Sequence, residues 1–504
     1  MRAKSIMIQG TGSSVGKSLL TAALCRIFTQ DGHRVLPFKA QNMSNNAYVT
    51  KDGGEIGRAQ AEQAMACRIE PSVLVNPVLL KPTTDLGAQV IVLGKPIGTM
   101  TAQAYQAFKP QLLSTITRAL DELRGQADVL VIEGAGSPAE INLKASDVVN
   151  MWIAKHARAK VLLVGDIDRG GVFAHLAGTM ELLDEDERQL VRGFVINKFR
   201  GDPTLLASGL QWLETRYKIP VVGVLPYLHD VELLEEDGIT RDASTVRPRE
   251  GRLSIEVIHL PRIGNVTDFA PLEREPDAHL RYIDRPLLDS LPDGLIVPGS
   301  KSTVADLGWM RERGFDRYLA RCAEAGREIV GVCGGFQMLG QRILDPDHLE
   351  AAVDAADGLG FLPSTTVFEK DKCVAQVRGL HRESGLPVAG YEIHMGRMRD
   401  ASAGMPAAAQ AGQPLLTLTE RGGKPDTSSD GLSTPDGLVW GTHVHGLFDA
   451  PDFRRWWLNR LRRRRGLPDV LASPSSNPDD AYDRLAAVVR PHLNLETLYR
   501  ILES

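Results

Sequence analysis

The chain has 504 residues, 43% hydrophobic and 24% charged; this is ordinary globular composition but too long for one core, so two or three domains are expected. A formal net charge of −5 argues against nucleic-acid binding, and no apolar run approaches the roughly 18–20 residues that span a bilayer. Five scattered cysteines (Cys25, Cys67, Cys322, Cys333 and Cys373) show no metal-ligand spacing, which speaks against a disulfide framework or zinc site and for a cytoplasmic protein.

The opening residues run from a short apolar stretch into Gly and Ser and then Gly-Lys-Ser, which predicts a first strand over Ser5–Gln9 rather than a signal peptide. Gly10-Thr11-Gly12-Ser13-Ser14-Val15-Gly16-Lys17-Ser18 follows, and then Leu19, Leu20, Ala23, Leu24, Ile27 and Phe28 recur at helical spacing. Strand, glycine-rich turn and helix together predict a phosphate-binding loop: Gly12 and Gly16 let backbone N–H groups face a phosphate, Lys17 reaches the terminal phosphates, and Ser18 holds Mg²⁺. Thr11 stands where the usual pattern has its first Gly, with Gly10 one place earlier.

Further strands are predicted over Val35–Phe38, Asp128–Ile132, Val161–Val164, Gly193–Ile196 and Val221–Leu225, in alternation with helical patterns, which implies a mostly parallel sheet. Glu133 falls at the carboxyl end of an interior strand, where ligands sit in such sheets, and is expected to join Ser18 at the metal. Asn197 follows another strand; its amide offers a donor and an acceptor to a nucleotide base. The polar stretch over 237–251 reads as a linker.

A second alternation begins with strands at Leu253–Ile258 and Gly294–Val297, continues through a helix near Thr303–Arg313, and reaches a strand at Glu328–Val332 and a helix from Phe336. Between the last two, Val332-Cys333-Gly334-Gly335 predicts a sharp strand-to-helix turn that exposes Cys333, with a helix N-terminus favouring the thiolate. Downstream, a strand over Leu438–Gly441 leads into Thr442-His443-Val444-His445, whose alternation puts both histidines on one side as candidate bases. The N–H groups of Gly299 and Gly334 are candidates for an oxyanion hole. Stretches 400–413 and 421–437 are rich in small and turn-forming residues and read as exposed loops, and the run Arg462–Arg465 beside Trp456 and Trp457 as a basic helix covering the second domain.

These constellations, with Gln41–Asn46, Asn76–Pro82, Ile141–Lys144, Pro298–Lys301, Gly390–Gly396 and His445–Phe448, resemble the cobyric acid synthase family over nearly the whole chain. The resemblance implies an α/β protein of two domains, each a mostly parallel sheet flanked by helices. A dethiobiotin synthetase-like P-loop domain over 1–236 would be fused to a class I glutaminase-like domain over 252–452, with a C-terminal helical extension over 453–504. It implies Cys333 as nucleophile and His445 as base. His443 stands where relatives usually have Tyr, and Leu447 stands where class I glutaminases commonly place Glu; the group that orients His445 is therefore open between a backbone carbonyl and a tyrosine. The implied activity is ATP-, Mg²⁺- and glutamine-dependent amidation of the b, d, e and g carboxylates of adenosylcobyrinic acid a,c-diamide. Two rivals are the related a,c-diamide synthase and a P-loop ATPase with a non-catalytic glutaminase-like domain. The extra Lys usual in partitioning ATPases is Gly12 here, which counts against the second.

Overall fold

The computed structural model describes residues 2–84, 87–228, 251–287, 290–400, 412–471 and 478–504. The stretch over 237–251, apart from Gly251, and most of 400–413 lie outside them. Among the described residues, six parallel strands form the first sheet in the order Val221–Pro226, Val191–Phe199, Lys160–Asp166, Lys4–Gly10, Val129–Glu133, Val35–Phe38. Successive side chains serve opposite faces. Met7, Ile132, Leu163 and Ile196 join one core, while Ile6, Ile8, Val131, Val164 and Val195 pack on Leu20, Leu24, Ile27 and Phe28 of the helix Lys17–Gln30. Because both faces are covered, the strands read as unbroken apolar runs. Each fully buried aliphatic side chain contributes about 1.5–3 kcal/mol.

An excursion after the second strand was not expected from the sequence. Four strands, Gln41–Met43, Val78–Thr84, Gly87–Val92 and Lys95–Thr101, form a small sheet, and Ala47–Val49 pairs with Glu55–Gly57. Its strands are too short, or too polar, to show a period of two.

The second sheet has a parallel centre, Ala278–Ile283, Leu253–Ile258, Gly294–Val297, Glu328–Val332 and Val439–Thr442, extended by an antiparallel wing. The wing contains the long hairpin Ser364–His381 and Pro387–Asp400, then Gln413–Arg421 and Ser429–Ser433. Residues 421–437 are therefore not simply an exposed loop: Ser429–Ser433 pairs with Val439–Thr442, and Asp430 is buried. The hairpin reaches the excursion of the first unit. Tyr391 and Ile393 pack with Ala47, Val49, Leu79 and Ile91, and Gln376 donates to the Val49 carbonyl at 2.9 Å.

The C-terminal residues serve both units. The helix Pro451–Arg464 buries Phe453, Trp457 and Leu461 on the second sheet, and its Arg455 and Arg462 pair inward with Asp277, at 2.9 and 3.1 Å. The helices Pro478–Val489 and Leu495–Glu503 return to the first sheet, where Leu485, Leu498 and Leu502 complete its core and Asp479 pairs with the fully buried Arg26. No helix among the described residues is long and apolar enough to cross a membrane.

Candidate functional site

Two centres lie at the carboxyl edges of the two sheets. In the first, the loop Gly10–Ser18 leaves its strand and turns into the helix Lys17–Gln30. Gly16 has φ +91°, a left-handed conformation that side chains rarely adopt, and a Cβ there would meet the Asn197 amide nitrogen at 2.1 Å. Lys17 Nζ donates to the carbonyls of Gly12 (2.8 Å) and Gly136 (3.1 Å), arching over the loop. Ser18 Oγ donates to Glu133 Oε1 at 2.7 Å, so these two expected metal ligands are brought together. Both present hard oxygen atoms, the donor type that suits magnesium. Lys39 also reaches Glu133 Oε1 at 2.8 Å, and the Gln63 amide donates to the other oxygen. Burial alone would raise the Glu133 pKa, but Lys39 and these donors hold the carboxyl below its usual range, so it stays ionised. Asn197 stands behind the loop, its amide donating to the Val15 carbonyl at 2.8 Å. Beside Gly136 a cavity of about 520 Å³ opens, lined by Gln41, Tyr105, Lys109, Ser137 and Lys144.

In the second centre, Glu328–Val332 ends at Cys333, whose φ of +49° is a strained turn for a side-chain-bearing residue. The glycines make the turn possible: a Cβ on Gly335 would lie 1.9 Å from the Val297 carbonyl oxygen. Cys333 caps the helix Gly334–Leu339, and its sulfur lies 3.7 Å from the Ile393 carbonyl oxygen. The loop carrying Gly299 packs against it; a Cβ there would sit 3.2 Å from His445 Cε1 and 3.9 Å from Cys333 Cβ.

His445 is buried between Tyr391, stacked on its ring at 5.3 Å and 19°, and Asp268, whose Oδ2 is 2.6 Å from His445 Nδ1. The carboxylate answers what the sequence left open between a backbone carbonyl and a tyrosine. Asp268 lies in the short helix Val266–Phe269, and its other oxygen accepts from the Gly446 N–H at 3.0 Å. Burial alone would lower the His445 pKa; Asp268 and the neighbouring Cys333 overcome this and raise it to about 10. Burial likewise opposes the Cys333 thiolate, yet the His445 imidazolium holds its pKa below the usual thiol value. The two groups favour an ion pair, as a sulfur nucleophile requires. Asp268 was missed because 177 residues separate it from His445 and the helix it occupies is irregular. Its placement in the segment that follows a parallel strand of the same sheet was the available signal.

His443 does not join this pair. Its Nδ1 lies 3.0 Å from Asp430, and its ring stacks on His394 at 4.1 Å. Cys373, Glu392 and His394 do converge, despite the absence of metal-ligand spacing, but Arg421 already supplies their positive partner, 3.0 Å from Glu392. The family-like stretch Gln41–Asn46 and the residue after it meet the second centre directly: Asn46 Oδ1 accepts from Val266 N–H at 3.0 Å, and Ala47 N–H donates to Asn265 Oδ1 at 2.9 Å. The Asn265 amide nitrogen is 3.3 Å from the His445 ring. The cavity at Cys333 thus has walls from both units, including Asn45 and Lys81.

Comparison with known proteins agrees with both halves. Residues 6–240 match the CobQ/CobB/MinD/ParA nucleotide binding domain, and residues 254–453 match the CobB/CobQ-like glutamine amidotransferase domain. Over its full length the chain is similar to curated proteins named cobyric acid synthase. It is 47% identical to that of Dehalococcoides mccartyi (strain CBDB1), covering 100% of this chain and 99% of the relative. It is 48% identical to that of Pelotomaculum thermopropionicum, covering 99% and 97%, and 49% identical to that of Sorangium cellulosum, covering 100% and 99%.

Proposed function

The chain belongs to the cobyric acid synthase family, glutamine-dependent amide ligases of cobalamin biosynthesis, and on that premise we propose how its residues divide the reaction. The substrate is adenosylcobyrinic acid a,c-diamide, and amidation of its b, d, e and g carboxylates yields adenosylcobyric acid. Two obstacles define the chemistry. A carboxylate at neutral pH is a poor electrophile, and free ammonia at that pH is mostly ammonium.

The first centre deals with the electrophile. Gly12, Gly16 and Lys17 hold the ATP phosphates, Asn197 supports the loop through the Val15 carbonyl, and Lys17 neutralises charge as the γ-phosphoryl group passes to a corrin carboxylate. Ser18 and Glu133 would hold magnesium, which supplies further charge neutralisation on the phosphates. The cavity beside Gly136 receives the corrin edge, with Lys109 in its lining as the cation for a carboxylate.

The second centre supplies nitrogen. Cys333 attacks the side-chain amide carbon of glutamine, and the developing oxyanion is held by the N–H groups of Gly334 and Gly299. His445, oriented by Asp268, gives its proton to the leaving ammonia and then takes one from the water that hydrolyses the thioester to glutamate. The released ammonia displaces phosphate from the acyl phosphate.

The observation that carries this reading is the line Cys333, His445, Asp268, whose first two members line a cavity walled by both units. A non-catalytic glutaminase-like domain would have no use for a buried imidazole held protonated beside a strained cysteine. Cys333→Ala is expected to abolish glutamine-dependent amidation and spare ammonia-dependent amidation. Loss of both activities in a folded variant would contradict the division of labour.

A further inference from the structure

The cavity at Cys333 has an unusual charge pattern away from the sulfur. Lys81, Lys301 and Lys372 line it, and Glu350 is its one acidic lining side chain among the described residues. Two of the lysines are matched: Lys81 Nζ lies 2.8 Å from Glu55 Oε1, and Lys372 pairs with the other oxygen of the same buried carboxylate. Lys301 forms no ion pair among the described residues, although burial and then the nearby Lys81 ammonium lower its pKa. Glu350 accepts from the N–H groups of Thr303 and Val304 at a helix start and makes no close ion pair with the lysines; burial pushes its pKa up to about 7 against the pull of the Lys301 ammonium. Lys81 and Lys372 share the single Glu55 carboxylate, which leaves the half-buried Lys301 facing the cavity with no ion-pair partner among the described residues. A half-buried ammonium without a close carboxylate is a ready site for an anionic group of a ligand.

We propose that Lys301, assisted by Lys81, receives the α-carboxylate of glutamine, with Glu350 facing the α-ammonium, so that the amino-acid head group is read by both units of the chain. The inference rests on the glutaminase reading of Cys333 above. A zwitterion supplies an anion for Lys301 and a cation for Glu350, and anchoring them sets the side-chain amide toward Cys333. Lys81 stands on the strand Val78–Thr84 of the first unit, and the buried Glu55 that ties it to Lys372 makes the contact between the units part of the pocket. Glutamine recognition therefore depends on the units being docked.

The test compares ammonia release from glutamine and from 4-aminobutanamide, which is glutamine without its α-carboxylate. The ratio of the two kcat/KM values is read within each protein, so the fraction that folds cancels. The full-length wild-type chain is expected to prefer glutamine by about 10- to 100-fold, the range of a charge-assisted hydrogen bond. Lys301→Met is expected to lose most of that preference, Lys301→Arg to keep part of it, and Lys81→Met to weaken it despite lying in the other unit. A Lys301→Met preference equal to wild type would overturn the proposal. Release from neither compound by wild type would instead sink the glutaminase reading on which it rests.

Discussion

Replacing Asp268 by Asn leaves the size of the side chain and removes its charge from His445. The carboxylate sits 2.6 Å from Nδ1, is buried, and is the chief attraction that lifts the His445 pKa to about 10 against the burial that would lower it. An opposite charge at this range shifts a pKa by about 1–3 units, so its loss takes roughly 1.4–4 kcal/mol from the imidazolium. Cys333 then loses much of the cation that stabilises its thiolate. The signs follow for glutamine hydrolysis against pH. The acid limb reports protonation of the thiolate and moves up, because the Cys333 pKa rises. The alkaline limb reports loss of the His445 proton near 10 and moves down. The active window is expected to narrow from both sides, and kcat/KM for glutamine to fall about 10²–10⁴-fold, the usual contribution of an oriented acid–base group. Amidation supported by saturating ammonium should persist, since it bypasses this centre. An Asp268→Asn enzyme with wild-type kcat/KM and both limbs in place would refute the role of Asp268.

Lys17→Ala is expected to stop amidation with either nitrogen donor, measured as amide formed and phosphate released; full activity in that variant would discredit the phosphate-loop assignment. Glu55→Gln leaves Lys81 and Lys372 buried around a neutral amide, so stability at pH 7 should drop by about 3–5 kcal/mol in thermal or denaturant unfolding. Although burial opposes it, Lys372 and Lys81 hold the Glu55 pKa down to about 2. That stabilisation is present above the unfolded value of about 4.3 and is lost as pH falls toward 2, so the wild-type advantage over the variant should shrink on acidification. An unchanged midpoint at pH 7 would argue against the buried bridge.

What the sequence made legible was local. Gly10 to Ser18 and Val332 to Gly335 announce their turns because a tight backbone demands glycine within a few residues of the reactive side chain, and the adjoining strands carry continuous apolar runs. Contacts made across the chain were not legible. Asp268 reaches His445 over 177 residues, and Lys372 reaches Glu55 over 317; neither spacing carries a period. The excursion bearing Glu55 and Lys81 has strands as short as three residues, below the length at which alternation shows. Composition misled at 421–437, where Gly, Ser and Asp are used inside a sheet: Gly431 lies at φ +75° against the Gly441 carbonyl, and Asp430 is buried to hold Thr442 and His443.

The central claim is that nitrogen freed at Cys333 ends on corrin carboxylates activated above Lys17. Mass spectrometry of the corrin after incubation with ATP, Mg²⁺ and glutamine labelled at its side-chain amide with heavy nitrogen tests it most directly. Four successive carboxyl-to-amide conversions, each carrying the label, are expected. A corrin left unchanged, or amidated only with unlabelled nitrogen, would contradict it.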